Sequence, residues 1–229
     1  MSKNIAIIPA RSGSKRIPLK NIKTFKGKPI IFWTLKTIIS AKLFDRIIVS
    51  TDNKKIAKIA KKFKAEIPFI RPKSISNDFA STPDVIKHAI NWLKLKKISP
   101  KYVCCIYPTA AFMSVKDLLN GYKKIKTNRW NFIFSAGKFQ SSIFRSFKKN
   151  SKGLKMIFPK YYKKRTQDIK DTYFDAGQFY WGKTDAWKKT KPIFSKDSSL
   201  IEIPRWRIHD IDTMEDWKTA EKMWIVRKL

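Results

Sequence analysis

The chain has 229 residues, 43% hydrophobic and 14% aromatic, which excludes a disordered or collagen-like polymer and leaves enough length for one sizeable core. Its 51 Lys and Arg against 17 Asp and Glu give a formal charge of +34. That excess favours anionic partners (nucleotides, nucleic acid, lipid headgroups) without choosing among them, and a solvated Lys-rich surface explains it equally well.

Ile5 to Ile8 reads as a buried strand ended by Pro9. The run is too short for the apolar region of a signal peptide, and no later run approaches a membrane span, so a cytoplasmic protein is expected. Ile31, Leu35 and Ile38 have helical spacing, and Arg46 to Ser50 reads as a second strand. Ile56, Ile59, Ala60 and Phe63 mark one helix face, Ile67 to Ile70 a third strand, and Ile86, Ala89, Ile90 and Leu93 the next helix. Tyr102 to Tyr107 is the fourth strand, Val115, Leu118, Leu119 and Tyr122 another helix face, and Phe132 to Ser135 the fifth strand. Such alternation predicts an α/β fold, a mainly parallel sheet with helices on both faces. Cys104 and Cys105, adjacent in a strand, point to opposite faces; they predict burial in a reducing compartment rather than a disulfide or a metal pair.

After Gly137 the rhythm breaks. Lys138 to Thr172 is basic and aromatic, with Lys148, Lys149, Asn150, Ser151 and Gly153 as a turn between two hairpin strands. Phe174 to Trp181 resumes as strand, and Thr213 with Asp216 three residues on predicts a capping box opening a last helix. His88 lies off the apolar face of its helix and is expected to be exposed; His209 is given no role.

In open α/β sheets ligands bind at the carboxyl ends of the strands. The loop after the first strand reads Pro9-Ala10-Arg11-Ser12-Gly13-Ser14-Lys15-Arg16-Ile17-Pro18-Leu19-Lys20-Asn21. It carries neither G-x-x-x-x-G-K-[ST] nor G-x-G-x-x-G, which argues against a P-loop ATPase or a dinucleotide dehydrogenase. Its cations surround a Gly-Ser pair able to turn backbone N–H groups toward an anion, so it reads as a phosphate cradle or as a solvated basic loop. Asp210 and Asp212, two apart in an extended segment, project to one side, where they can share a hard cation or cap the following helix. Arg71 is a nucleobase reader or a surface ion pair.

Arg11-x-Gly13-Ser14-Lys15-x-x-x-x-Lys20-Asn21 after Ile8-Pro9-Ala10 resembles the signature of the CMP-sugar synthetases, cytidylyltransferases that activate sialic-acid-type 2-keto sugars. The resemblance runs on through Ser50-Thr51-Asp52, Arg71-Pro72, Tyr107-Pro108-Thr109, Asp175-Ala176-Gly177-Gln178 and Ile208-His209-Asp210-Ile211-Asp212-Thr213, and with Ile203-Pro204-Arg205-Trp206 is strongest to the pseudaminic acid branch. It implies a three-layer Rossmann-like nucleotidyltransferase domain over 1–229, with an inserted dimerisation arm at about 138–172. The implied reaction is attack of a sugar anomeric hydroxyl on the α-phosphate of CTP, with Mg²⁺ as cofactor and a homodimer as the assembly.

By the same resemblance Arg11 and Lys15 hold the triphosphate with Gly13 and Ser14 at its backbone, and Lys20 sits near the α-phosphate or the sugar carboxylate. Asn21, Arg71 and Thr82 read ribose or cytosine, Tyr107 and Gln178 shape the sugar pocket, and Asp210 and Asp212 bind the metal. Arg11, Lys15, Lys20 and Asp210 form the implied catalytic set. Phe139, Ile143, Phe144 and Phe147 of the arm are expected to bury against the partner. Tyr107 stands where sialic acid enzymes carry Gln, Ala176-Gly177 where they carry Asn-Gly, and Ala111 where a Pro is common. These departures favour a differently decorated nonulosonate, with N-acetylneuraminate and legionaminate as alternatives. From another class, a basic nucleic-acid-binding protein also accommodates the charge; the resemblance implies neither a nucleic-acid nor a membrane partner.

Overall fold

A computed structural model of the chain describes residues 4–227. In order the elements are β1 (Asn4–Pro9), the short strands β2 (Thr24–Phe25) and β3 (Lys28–Pro29), α1 (Ile30–Ala41), β4 (Arg46–Ser50), α2 (Lys54–Lys62), α3 (Thr82–Leu95), β5 (Tyr102–Ile106) and α4 (Val115–Ile125). Then follow β6 (Phe132–Lys138), the hairpin of β7 (Phe147–Asn150) and β8 (Gly153–Met156), β9 (Tyr173–Lys183), α5 (Thr184–Lys188), β10 (Ser198–Glu202) and α6 (Met214–Val226).

Six strands form the central sheet in the order β10-β6-β9-β5-β1-β4. β1 is parallel to β4 and β5, and β10 to β6, while β9 runs antiparallel to both its neighbours. The sheet is buried on both faces, which is why β1 and β5 read as continuous apolar runs rather than as alternating patterns. Ala6, Ile8 and Cys104 enter the core shared with α1, α2 and α4; Ile5, Ile7 and Cys105 enter the core shared with α3 and α5. The cysteines are free, buried and on opposite faces, as their adjacency predicts. A third cluster joins Phe25 and Phe112 to Trp217 and Trp224 of α6, so the last helix lies over the β2–β3 hairpin.

Local signals set the helix starts. Ser81 with Asp84, Ser114 with Asp117, and Thr213 with Asp216 are full capping boxes opening α3, α4 and α6; each cap contributes about 1 kcal/mol. Among the described residues no helix is long and apolar enough to cross a membrane.

The structure departs from the sequence reading in four places, and it also shows what the aromatic residues of the inserted segment touch within the chain. Ile67 to Ile70 is not a strand: only Glu66 bridges to Ile48 and Ile70 to Thr51, because Pro68 between them has no N–H to offer a ladder. β10 was not expected; it is a short edge strand of half-buried residues without clear alternation. In the inserted segment Lys148, Lys149 and Asn150 belong to β7, and the turn proper is Ser151-Lys152, closed by Asn150 accepting from the Lys152 N–H at 2.9 Å. Phe144 and Phe139 already have partners in their own chain: Phe144 stacks on Tyr161 with centroids 4.5 Å apart, and Phe139 meets Phe174 at 5.0 Å. Ile143 is half-buried, while Phe147 remains exposed together with Leu154 and Tyr162. Finally, His88 is half-buried, edge-on to Phe69 at 4.7 Å.

Candidate functional site

The loop after β1 folds back over the carboxyl ends of the strands. Ala10 donates its N–H to the Ser50 carbonyl at 2.9 Å, carrying the β1–β4 register one residue further. Ser12 is tied down by Asp52, which accepts from its N–H at 2.9 Å and from its hydroxyl at 2.7 Å. Asn21 is buried and donates through Nδ2 to the Arg11 carbonyl at 2.9 Å, so its amide braces the loop. Leu19 takes a left-handed conformation (φ 50°) at the turn before Lys20. A Cβ built on Gly13 would meet nothing within 4 Å, which leaves the mouth of the loop open to a ligand.

Below the loop lies a cleft of about 510 Å³. It brings Arg11, Gly13, Ser14, Lys15, Lys20 and Asn21 together with Tyr107, Asp210 and Asp212. Arg71, Thr82 and Gln178 do not line it. Thr82 is one step away, its hydroxyl 2.8 Å from the Tyr107 hydroxyl. Gln178 is buried (3% exposed), donating through Nε2 to the Arg207 carbonyl at 2.6 Å while its Oε1 has no partner.

Two cationic pairs divide the cleft. On one side Arg11 and Lys15 grip the carboxylate of Asp78 at 2.8 and 2.7 Å, and Arg11 also donates to the Asn77 carbonyl at 2.7 Å. The hydrogen bond and charge of Lys15, then those of Arg11, hold Asp78 below the usual carboxylate range. Asp78 is a residue of the candidate site that sequence reasoning missed; it sits in a Ser- and Asn-rich loop with no spacing that links it to positions 11 and 15. On the other side Arg16 and Lys20 meet Asp212 at 2.6 and 3.2 Å, and Lys20 donates to the Ile211 carbonyl at 2.5 Å. Arg16 is one of the loop cations to which the sequence pattern assigns no task.

Asp210 and Asp212 differ in state. Asp212 would be raised by burial, but the hydrogen bonds and charges of Lys20 and Arg16 outweigh this and hold it low. Asp210 has no hydrogen-bond or ion-pair partner among the described residues, and desolvation with Asp212 beside it raises its carboxyl above the ordinary value of 3.8. The cap of α6 is made by Thr213 with Asp216 rather than by Asp212. Mg²⁺ bound through one or two carboxylates, with phosphate oxygens and water completing six ligands, fits this donor set: Asp210 is uncommitted, and a cation would relieve its repulsion from Asp212. Among the described residues no cluster of three or more His, Cys, Asp or Glu forms an all-protein cage.

Beside the loop, Arg71 is 4% exposed, and its Nε and Nη2 have no partner. Burial, with Arg11 nearby, lowers its pKa against the opposing pull of Asp52. A buried guanidinium with free donors is costly unless something supplies acceptors, and a planar acceptor pair would satisfy Nε and Nη2 together. Tyr107, raised to about 12 by burial, remains a neutral hydroxyl at neutral pH.

Residues 5–217 match a family model described as cytidylyltransferase. Over 225 residues the chain is 40% identical to a pseudaminic acid cytidylyltransferase of Campylobacter jejuni subsp. jejuni, covering 98% of this chain and 97% of that one. It is also 27% identical to N-acylneuraminate cytidylyltransferase A of Danio rerio, over 95% of this chain and 50% of the relative. Among solved structures, a CMP:2-keto-3-deoxy-manno-octonic acid synthetase complexed with CTP superposes over 100% of both chains with a TM-score of 0.73 at 15% identity, a likeness of fold.

Proposed function

The chain belongs to the cytidylyltransferase family, and we propose that it transfers CMP from CTP to the anomeric hydroxyl of pseudaminic acid, releasing pyrophosphate. The observation that carries this reading is the meeting of Arg11, Lys15 and Lys20 with Asp210 and Asp212 in one cleft. The first three suit a polyphosphate and the last two a divalent cation. Arg71, with its free Nε and Nη2, supplies donors for cytosine O2 and N3.

In the reaction a bond forms between the sugar oxygen and the α-phosphorus while the bridge to the β-phosphate breaks, and the proton of the sugar hydroxyl is lost to solvent water. Such a transfer asks the protein mainly for alignment and charge neutralisation. Arg11 and Lys15 leave Asp78 for the β- and γ-phosphates, which become the departing pyrophosphate. Lys20, held between the Ile211 carbonyl and Asp212, points its ammonium at the α-phosphate. Asp210, with Asp212 beside it, would hold Mg²⁺, which would supply positive charge against the phosphate oxygens. Tyr107 presents its hydroxyl from the wall toward the sugar side, with the Thr82 hydroxyl bonded to it from outside the cleft, and Gln178 supports that wall from within. The protein works in the cytoplasm as a homodimer, with exposed Phe147, Leu154 and Tyr162 of the inserted segment covered by a second copy.

The test is pyrophosphate release from CTP with pseudaminic, legionaminic and N-acetylneuraminic acids side by side. Turnover with pseudaminic acid at the highest kcat/KM is expected; release with none of the three would overturn the proposal. Sedimentation of the wild type against a Phe147→Ser, Leu154→Ser double variant tests the dimer, which should dissociate in the variant.

A further inference from the structure

The segment bearing Asp210 and Asp212 is irregular chain between β10 and α6, and the Asp210 carboxylate has no partner among the described residues to hold it in place. Its position must come from anchors of the backbone on either side. Downstream the anchor is clear: Lys20 on the Ile211 carbonyl, and Asp216 accepting from the N–H groups of Asp212 at 3.1 Å and Thr213 at 2.7 Å.

Upstream the anchor is Arg207. Its guanidinium reaches Asp117 as a two-pronged pair, Nη1 to Oδ2 and Nη2 to Oδ1, the latter at 3.1 Å. The two side chains are 15% and 7% exposed, the most deeply buried ion pair among the described residues. Asp117 belongs to the capping box of α4, where its Oδ2 also accepts from the Ser114 N–H at 2.9 Å. Meanwhile the Arg207 carbonyl accepts from Gln178 Nε2 at 2.6 Å. One residue thus fastens three elements: the start of α4 through its side chain, β9 through its carbonyl, and through its own chain the carboxylate segment that begins at the next residue.

A buried ion pair is a poor stabilising device, because desolvation of both charges offsets most of their attraction, and an apolar pair of similar size often serves a fold as well. What the two-pronged geometry does supply is direction, since a planar fork on a carboxylate fixes both distance and orientation. Asp210 lies three residues from Arg207, a reach of at most about 10 Å of extended chain. A slip at Arg207 is therefore passed to the carboxylates and to Gln178 together.

We propose that Arg207, clamped by Asp117, is a positioning residue that sets the Asp210–Asp212 couplet and Gln178 in register with each other. This rests on the cytidylyltransferase reading for what the couplet holds. Arg207→Lys keeps the charge and loses the fork; Asp117→Asn keeps an acceptor for the Ser114 cap and loses the charge. The primary readout is Mn²⁺ binding in the presence of CTP, followed by electron paramagnetic resonance without sugar, alongside the thermal midpoint and the separate KM values for CTP and sugar.

Both single variants are expected to bind Mn²⁺ about tenfold more weakly. The sugar KM should rise several-fold in parallel, while CTP binding without metal stays within about twofold of wild type, because Arg11, Lys15 and Arg71 are untouched. A double Arg207→Met, Asp117→Met variant keeps the experiment decisive if a single variant fails to fold, since it replaces the clamp by an apolar contact. Recovered thermal stability with metal binding still weak supports the proposal. Wild-type Mn²⁺ affinity in any folded variant overturns it and leaves Arg207 a simple brace. Failure of the wild type to turn over pseudaminic acid would count against the substrate reading alone, because the Mn²⁺–CTP titration needs no sugar.

Discussion

Lys20 and Asp212 are separated by 192 positions in the chain, yet the lysine Nζ lies 3.2 Å from the aspartate Oδ1. The contact joins the loop after the first strand to the segment before the last helix, and in the proposed reaction Lys20 shares its charge between that carboxylate and the incoming phosphate. Exchange of one anionic partner for another costs little reorganisation, which suits a group that must act on charge developing in the transition state. Lys20→Met is accordingly expected to lower kcat about 100-fold or more while changing the CTP dissociation constant only several-fold. Steady-state kinetics with calorimetric CTP binding tests this; an equal loss in both would assign Lys20 to ground-state binding.

Asp210→Asn should abolish most metal-dependent turnover, with a loss of at least about 100-fold at saturating CTP. Its thermal midpoint should be no lower than that of the wild type, because the carboxylate is unpaired and its ionisation is disfavoured in the folded state. Turnover that survives in excess Mg²⁺ would remove Asp210 from the metal site.

The same group gives a pH dependence with a definite sign. Desolvation and the neighbouring Asp212 raise Asp210 above 3.8, so as pH falls it takes up its proton before an ordinary carboxyl would. Metal binding needs the ionised form, so the Mg²⁺ concentration for half-maximal rate should climb on the acid side, beginning above the normal carboxylate range. The metal-free protein should show the opposite trend for this residue: with its folded-state pKa raised above the unfolded value, Asp210 is expected to cost stability as pH rises through its folded pKa. Rate and unfolding profiles of the wild type and Asp210→Asn, measured together, check both signs.

Asp78 pairs with Arg11 and Lys15, the cations assigned to the triphosphate in the proposed reaction. Removing its charge by Asp78→Asn should tighten CTP and pyrophosphate binding about two- to fivefold at low salt, with the difference fading as ionic strength rises. Weaker binding in the variant would show instead that Asp78 aligns Arg11 and Lys15 for the nucleotide.

Gly121 lies in α4 where the helix crosses β9, and a Cβ there would fall 2.7 Å from Trp181 Cδ1 and 3.0 Å from Phe179. Gly121→Ala should therefore destabilise the protein by about 1–3 kcal/mol despite its better helix propensity. Urea unfolding measures it; a neutral or stabilising result would mean that the tryptophan has room to move.

Much of this architecture was legible in the chain because period and punctuation agreed. The apolar spacing at Ile86, Ala89, Ile90 and Leu93 had a single structural solution, and Thr213 with Asp216 announced the last helix. Ile67 to Ile70 misled because apolar character alone does not make a ladder when Pro68 interrupts it. β10 was silent because an edge strand half-open to solvent has no strict alternation to display. At the site, residues contiguous in the first loop were visible as a group, whereas Asp78 and the Arg207–Asp117 clamp depend on pairings across 63 to 90 positions, which no local pattern encodes. Asn21 was legible as a member of the loop, yet not as the group that holds the Arg11 carbonyl.

The placement of β9 between β5 and β6 bears on how the protein is made. Those two strands emerge from the ribosome well before the one that separates them, and neither can close on the other in its native register. Until Lys183 has been synthesised, a nascent chain carries the three strands β4-β1-β5 with a bare edge at β5, and β6 as a strand without a partner, an interval on the order of seconds at ordinary elongation rates. Exposed edges of that kind invite pairing with the wrong neighbour, so a chain stalled within the inserted segment should be captured by chaperones, whereas one arrested just after β9 should already resist proteolysis.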